Sequence, residues 1–239
     1  MITIEQGKFR KLVINAQSVK LTDKFIFSCY SAFEGNRPSF MKTEDGHTII
    51  IDLNQSEEEI LMAFKSNTRN EVRRGIKDNY FYEEETDIGK FVDFYNSFAK
   101  EKGLESITEE SLKRFEYLVI TKAGVGDKVL TMHANFIDKE IGKVSLLYSA
   151  SVRFDEGIDR KTVGISNRFL HYQELVDFKS MGLKKYDFSG VCEDEANKVE
   201  YSIGQFKKGF GGNEIPYYMV YSYPFWIALK IKELLHGRS

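Results

Sequence analysis

NRFLHYQELVDFKSMGLKKYDFSGV, residues 167–191, is the stretch on which the fold turns. Phe169, Tyr172, Val176 and Phe178 recur at helical intervals. Gly182 then stands where a helix end favours a left-handed residue. KKYDFSGV follows as a short buried strand. Just upstream, KVLTMHANFI and IGKVSLLYSASV form a hairpin turning at residues 138–140. In its second strand Val144, Leu146, Tyr148, Ala150 and Val152 alternate with Ser145, Leu147, Ser149 and Ser151. One face is apolar and the other mostly hydroxyl, which is the two-residue period of a strand. A hairpin thus leads into a β-α-β unit.

Working outward, YFYEEE reads as a strand. Asp87 caps a helix that runs to about Lys102 and ends at Gly103, and residues 108–123 read as the next helix. Downstream, VEYSIGQFKK is a short helix, IPYYMVYSY a strand, and Pro224 opens a final helix. From residue 80 the order is β-α-α-β-β-(β)-α-β-α-β, a mixed α/β (α+β) fold with a twisted, partly parallel sheet flanked by helices. Ligands of such sheets sit beyond the carboxyl ends of strands, near a switch in strand order, so the loops after residues 160 and 188 are the places to look.

Residues 1–53 are strand-rich, in KLVINAQ, KFIFSCYSAF and HTIIIDL. Ser56-Glu57-Glu58-Glu59 then has the form of a capping box. Ile60, Phe64, Val72 and Ile76 continue as one amphipathic helix of about five turns. Beside that apolar row lies a cationic ridge of Lys65, Arg69, Arg73 and Lys77, flanked by Arg74. The division expected is a shortened N-terminal part over 1–79 and a complete domain over 80–239.

The 239 residues, 42% hydrophobic and 14% aromatic, suffice for a substantial core. A net charge of −2 gives no global attraction to nucleic acid, so any anion site is local and DNA is not an expected partner. Cys29 and Cys192 read as free thiols of a reducing compartment. No stretch reaches the ~20 apolar residues of a membrane span. The reading is a cytoplasmic protein, with work at the inner membrane surface as an alternative.

Three groupings could carry chemistry. QFKKGFGGNE, residues 205–214, joins lysine, aromatic rings and glycines. Lys207 could neutralise a phosphate or a developing oxyanion and Phe206 could stack on a base, while Gly209 and Gly211 let backbone come close to a ligand. Arg69, Arg73 and Arg74 suit phosphate or carboxylate through their planar forks. In Tyr186-Asp187-Phe188-Ser189-Gly190, Asp187 could take a proton from an amine or orient it, with Tyr186 and Ser189 beside it. Asn167 and Arg168, read as opening their helix, could bind an anion at its N-terminus. Against each stands a plainer reading: a solvated lysine pair, a charged helix face, a strand-end carboxylate holding loop amides, a helix cap. There is no G-x-S-x-G elbow, no H-E-x-x-H and no metal-binding pattern.

In order and spacing, TIIIDLNQSEEEILMAFKSNTRNEVRRGIK, then residues 167–191, then GQFKKGFGG with its tyrosine-rich strand resemble the FemABX-like branch of the GNAT acyltransferases, over residues 48–223. These transferases add amino acids to peptidoglycan precursors. The resemblance implies a GNAT-like fold and an N-acyltransferase moving an aminoacyl or acyl group to the amine of a cell-wall or surface-polysaccharide precursor, nucleotide- or lipid-linked. The co-substrate would be aminoacyl-tRNA or an acyl-CoA, with no tightly bound cofactor, and the family's Phe-Lys pair falls on Phe206 and Lys207. The family usually has two GNAT-like domains and often a helical arm; this chain has one complete unit and a shortened N-terminal part. Its Lys161-Thr162-Val163-Gly164-Ile165-Ser166 matches the coenzyme A signature, (Arg/Gln)-x-x-Gly-x-(Gly/Ala), only at the glycine. A second reading is a catalytically silent GNAT-like module that binds an anionic glycan precursor or scaffolds a biosynthetic complex.

Overall fold

The computed structural model describes residues 1–6, 10–155, 157–192 and 194–236. They fall into two compact units, residues 49–213 and residues 1–48 with 214–239. The sequence placed a boundary near residue 79; the compact units instead part at 48/49 and 213/214, so the helices after residue 56 belong to the larger unit and the last strand and helix to the smaller.

The smaller unit contains β1 (Ile2–Gln6), β2 (Arg10–Ile14), β3 (Phe27–Phe33), the first part of β4 (Lys42–Asp52), β10 (Asn213–Tyr221) and helix α7 (Tyr223–His236). Its strand order is β1-β2-β3-β10-β4, with β2 and β3 parallel. Val13, Ala16, Tyr30, Phe33, Met41 and Val220 form its core. Cys29 and Cys192 are both free thiols.

The larger unit holds α1 (Glu57–Ala63), α2 (Ser66–Lys77), β5 (Phe81–Glu84), α3 (Ile88–Lys102), α4 (Glu109–Lys113), β6 (Leu118–Val125), β7 (Lys128–Asp138), β8 (Lys143–Ser151), α5 (Arg160–Ser180), β9 (Lys185–Val191) and α6 (Lys198–Lys207). Strand order runs β4-β9-β8-β7-β6-β5. The strands from β5 to β8 are antiparallel and β8–β9 is parallel. The β-α-β unit read from residues 167–191 is therefore β8-α5-β9. Strand alternation gives β7 two different faces. Met132 and Ala134 pack with Phe91, Tyr95 and Ala99 of α3, whereas Thr131, His133 and Asn135 bond to residues of α5. Ile49, Ile51, Leu53, Ile60, Val72 and Phe178 belong to the second large core.

Three sequence expectations are corrected. The five-turn helix is two helices. The capping box forms as read, Ser56 with Glu59, but the backbone at Phe64 and Lys65 is extended. Phe64 packs edge-on against Phe210, 5.1 Å between ring centres, and the Lys65 N–H donates to the Gly209 carbonyl. A straight helix could satisfy neither contact. The helix expected at 108–123 is only the short α4, because the β-branched run after residue 117 joins the sheet between β5 and β7. Finally, Asn167 and Arg168 do not open α5. It begins at Arg160 under an Asp159 cap, which places both residues two turns inside it.

Candidate active site

β8 and β9 pair only at Lys143–Lys185, Val144–Tyr186 and Ser145–Asp187. Beyond that point they part, and the interval is spanned by Ser189, which takes a left-handed backbone (φ 60°) and donates its hydroxyl to the Leu146 carbonyl. A cleft of about 520 Å³ opens at the splay, lined by both strands, α5 and α6. Its charged walls are Lys102, Arg153, Arg160, Arg168 and Lys207, with no carboxylate among the lining residues.

Lys207 closes α6 and turns its ammonium onto the Gly190 and Ser189 carbonyls, at 2.6 and 3.4 Å. Burial pushes its pKa down to about 8, a fall that Asp187 only partly opposes. Preceding it, Phe206 lies under the Arg168 guanidinium, 4.9 Å from ring centre to Cζ. Arg168 also pairs with Glu71 of α2 at 2.9 Å and donates to the Gly164 carbonyl; its Nε has no hydrogen-bond partner. This stack ties α2, α5 and α6 into one wall.

Behind that wall lies a buried polar network. Glu174 of α5 accepts at Oε1 from Thr121 (2.5 Å) and Asn135 (2.7 Å), and at Oε2 from Tyr186 (2.9 Å) and His133 (3.0 Å). Burial alone raises its pKa, yet His133 and His171 outweigh burial and hold it well below the carboxylate range. His171 is pushed down to about 4, by burial first and by His133 next. The nitrogen and oxygen atoms of His133, His171 and Glu174 lie within 4.8 Å of one another, a spacing a metal ion would accept. Hydrogen bonds within the network account for that spacing. The outer nitrogen of His133 lies 3.0 Å from Oδ1 of Asn167, a residue of the cleft wall.

Of the residues singled out in the sequence, Phe206, Lys207, Asn167, Arg168 and Ser189 meet in this cleft. The others do not line it. Arg69 donates to the Met62 carbonyl, Arg74 pairs with Asp78, and Arg73 is exposed. What α2 contributes is Glu71, which pairs with Arg168 without itself lining the cleft. Tyr186 is fully buried in the Glu174 network. Asp187 is buried too, paired with Lys143 at 3.1 Å and accepting the Ser189 amide at 2.8 Å. The glycines serve close approach, but of the chain to itself. A Cβ on Gly209 would sit 2.7 Å from Oγ1 of Thr68, and one on Gly211 2.7 Å from the Ala63 carbonyl oxygen. Sequence reasoning missed Lys102, Arg153, Arg160 and His171; the hydroxyl face of β8, with Ser149 and Ser151, was the one signal pointing to this wall.

Neither a protein-family model nor a curated protein sequence matches the chain. Solved structures do. FemX superposes with a TM-score of 0.65 at 12% identity, over 97% of this chain and 85% of that one. L-PGS from Bacillus licheniformis does so at 0.62 and 13%, over 99% and 85%. The C-terminal domain of a putative lysylphosphatidylglycerol synthetase from Agrobacterium fabrum follows at 0.56 and 10%, over 88% and 72%. At such identities the likeness is one of fold. The chain shares the mixed sheet-and-helix fold of FemX and L-PGS.

Proposed function

We propose that the chain is an acyl- or aminoacyltransferase working in the β8–β9 cleft, and that it moves its group to the amine of an anionic cell-wall or surface-polysaccharide precursor. One observation carries the reading: on an acyltransferase fold, the cleft at the strand splay is walled by five cationic side chains and no carboxylate. In the reaction the amine lone pair forms the new C–N bond and the carbonyl pair moves onto oxygen. Collapse of that oxyanion breaks the donor's ester or thioester bond, and the amine proton passes to the departing group. The chemistry needs no protein nucleophile, only positioning, worth ~7–11 kcal/mol, and charge stabilisation. Lys207 supplies fixed positive charge and Arg168 holds the anionic part of a substrate. Asp187, committed to Lys143 and the Ser189 amide, shapes the strand end instead of taking a proton.

Aminoacyl-tRNA is the favoured donor. Residues 161–166 lie within α5, and the helix N-terminus that would receive a coenzyme pyrophosphate is capped by the chain's own Asp159 carboxylate, 3.2 Å from the Thr162 amide. The second reading, a silent module that binds an anionic glycan precursor, gains weight from the engagement of Lys207 with two backbone carbonyls.

The test is to incubate the purified chain with a labelled aminoacyl-tRNA pool, or acyl-CoA, and an amine-bearing precursor, and to look for the mass of the amide product. Loss of product in Lys207→Ala with the fold intact is the expected result. Retention of the precursor with no product from either donor would leave the silent module.

A further inference from the structure

His133 is fully buried, and both its ring nitrogens face oxygen. Nδ1 lies 3.0 Å from the Glu174 carboxylate and Nε2 lies 3.0 Å from Oδ1 of Asn167. Two oxygens satisfy two nitrogens only if both nitrogens carry protons. Charge balance leads to the same form. Glu174 is fully buried, and a buried carboxylate is costly without a cation beside it. Its other donors, Thr121, Asn135 and Tyr186, are neutral; His171, 3.4 Å from the same oxygen, is kept neutral by burial; and Lys143, the buried lysine that opens β8, is spent on Asp187. His133 as an imidazolium answers both demands.

The consequence falls on Asn167. Its carbonyl oxygen is turned inward to His133, and among the described residues no protein acceptor takes its Nδ2 protons. The amide is therefore presented donor-first on the cleft wall, next to Arg168 and one helical turn before His171. A neutral His133, protonated at Nδ1 alone, would turn the same amide around and present an acceptor.

We propose that Asn167 Nδ2 is the hydrogen-bond donor to the substrate carbonyl oxygen as it becomes an oxyanion, and that His133 and Glu174 are positioning residues that fix its orientation. The inference rests on the transferase reading for its chemistry, but not for its geometry. The groups that face His133 are Glu174, His171 and Asn167 from α5, with Tyr186 of β9 and Thr121 of β6 bonded to the same carboxylate. None but Glu174 offers His133 a formal counter-charge.

Two measurements test it. Long-range proton–nitrogen spectra of histidine-labelled full-length protein at neutral pH should show His133 protonated at both nitrogens. Asn167→Ala should bring its Nε2 proton into fast exchange. In the transfer assay, Asn167→Ala should lower kcat by ~10²–10³-fold, the effect of one lost oxyanion donor, with KM changed only a few-fold. Glu174→Gln, which removes the counter-charge, should lower kcat comparably, and the double variant should lose no more than either. If Glu174→Gln does not fold, Asn167→Ala alone decides, since its side chain is on the cleft wall. One bare ring nitrogen on His133, an unchanged kcat in Asn167→Ala, or a stoichiometric divalent metal in the purified protein would each overturn the proposal. Absence of turnover in the wild type would sink the transferase reading and with it the donor role. The spectra would still decide the arrangement.

Discussion

Replacing Lys207 with methionine isolates the most consequential electrostatic feature of the cleft. The ammonium is largely desolvated against the Ser189 and Gly190 carbonyls, and burial lowers its pKa from the ordinary 10.5 to about 8. Above that value the folded lysine has released its proton while the unfolded one keeps it. The unfolded state then binds more protons, so this residue makes stability rise with pH until the unfolded lysine also titrates. Each full pH step is ~1.4 kcal/mol, and the folded lysine is half protonated at pH 8, so between pH 8 and pH 9.5 the wild type should gain about 1.6 kcal/mol on Lys207→Met. That is a ceiling, because the side chain keeps some solvent contact. Urea unfolding of both proteins, followed by circular dichroism at several pH values, gives the difference directly, and other titrating groups cancel in it to first order. Parallel profiles, or a wild type that loses ground as pH rises, would refute the claim that Lys207 is held in a desolvating site.

Other perturbations reach different parts of the argument. Lys143→Met should cost ~3–5 kcal/mol, because it strands the buried Asp187, and Lys143→Met with Asp187→Leu should restore much of that loss; equal costs in the single and double variants would mean the pair is unimportant. Gly211→Ala should destabilise by more than ~1–3 kcal/mol in thermal unfolding, since its φ of 72° with ψ of −144° is almost exclusive to glycine and the added carbon meets the Ala63 carbonyl. Binding of aminoacyl-tRNA should weaken steeply with salt and lose slope in Arg153→Ala with Arg160→Ala, as released counterions require; a flat salt profile by filter binding would exclude these side chains from contact with the donor.

The β-α-β unit was legible because a helix buries one stripe and a strand one face, so residues 167–191 carry both periods in their own pattern. The capping box at Ser56, the left-handed Gly182 and Gly103, and the helix ending in Lys207 were legible for a similar reason, since each is a contact within a few residues. The break at Phe64 was not, because its cause is Phe210, far along the chain. Nor was the strand at Leu118–Val125, whose apolar residues fit either period until β5 and β7 pair with it. At the site, the sequence could name Lys207, Phe206, Asn167 and Arg168 as charged, aromatic or amide side chains near turns. It could not tell an arginine held in a wall from an arginine in solvent, which is what separates Arg168 from Arg73.

By itself, then, the sequence determined the succession of elements and the residues that end them, because hydrophobic period and capping act over a turn or two. Only the tertiary structure decided which cations face the cleft and how Asn167 is turned. Those depend on where two parallel strands part and on a buried carboxylate that must find its counter-charge across β6, β7 and β9, and distances of that kind leave no period in the chain.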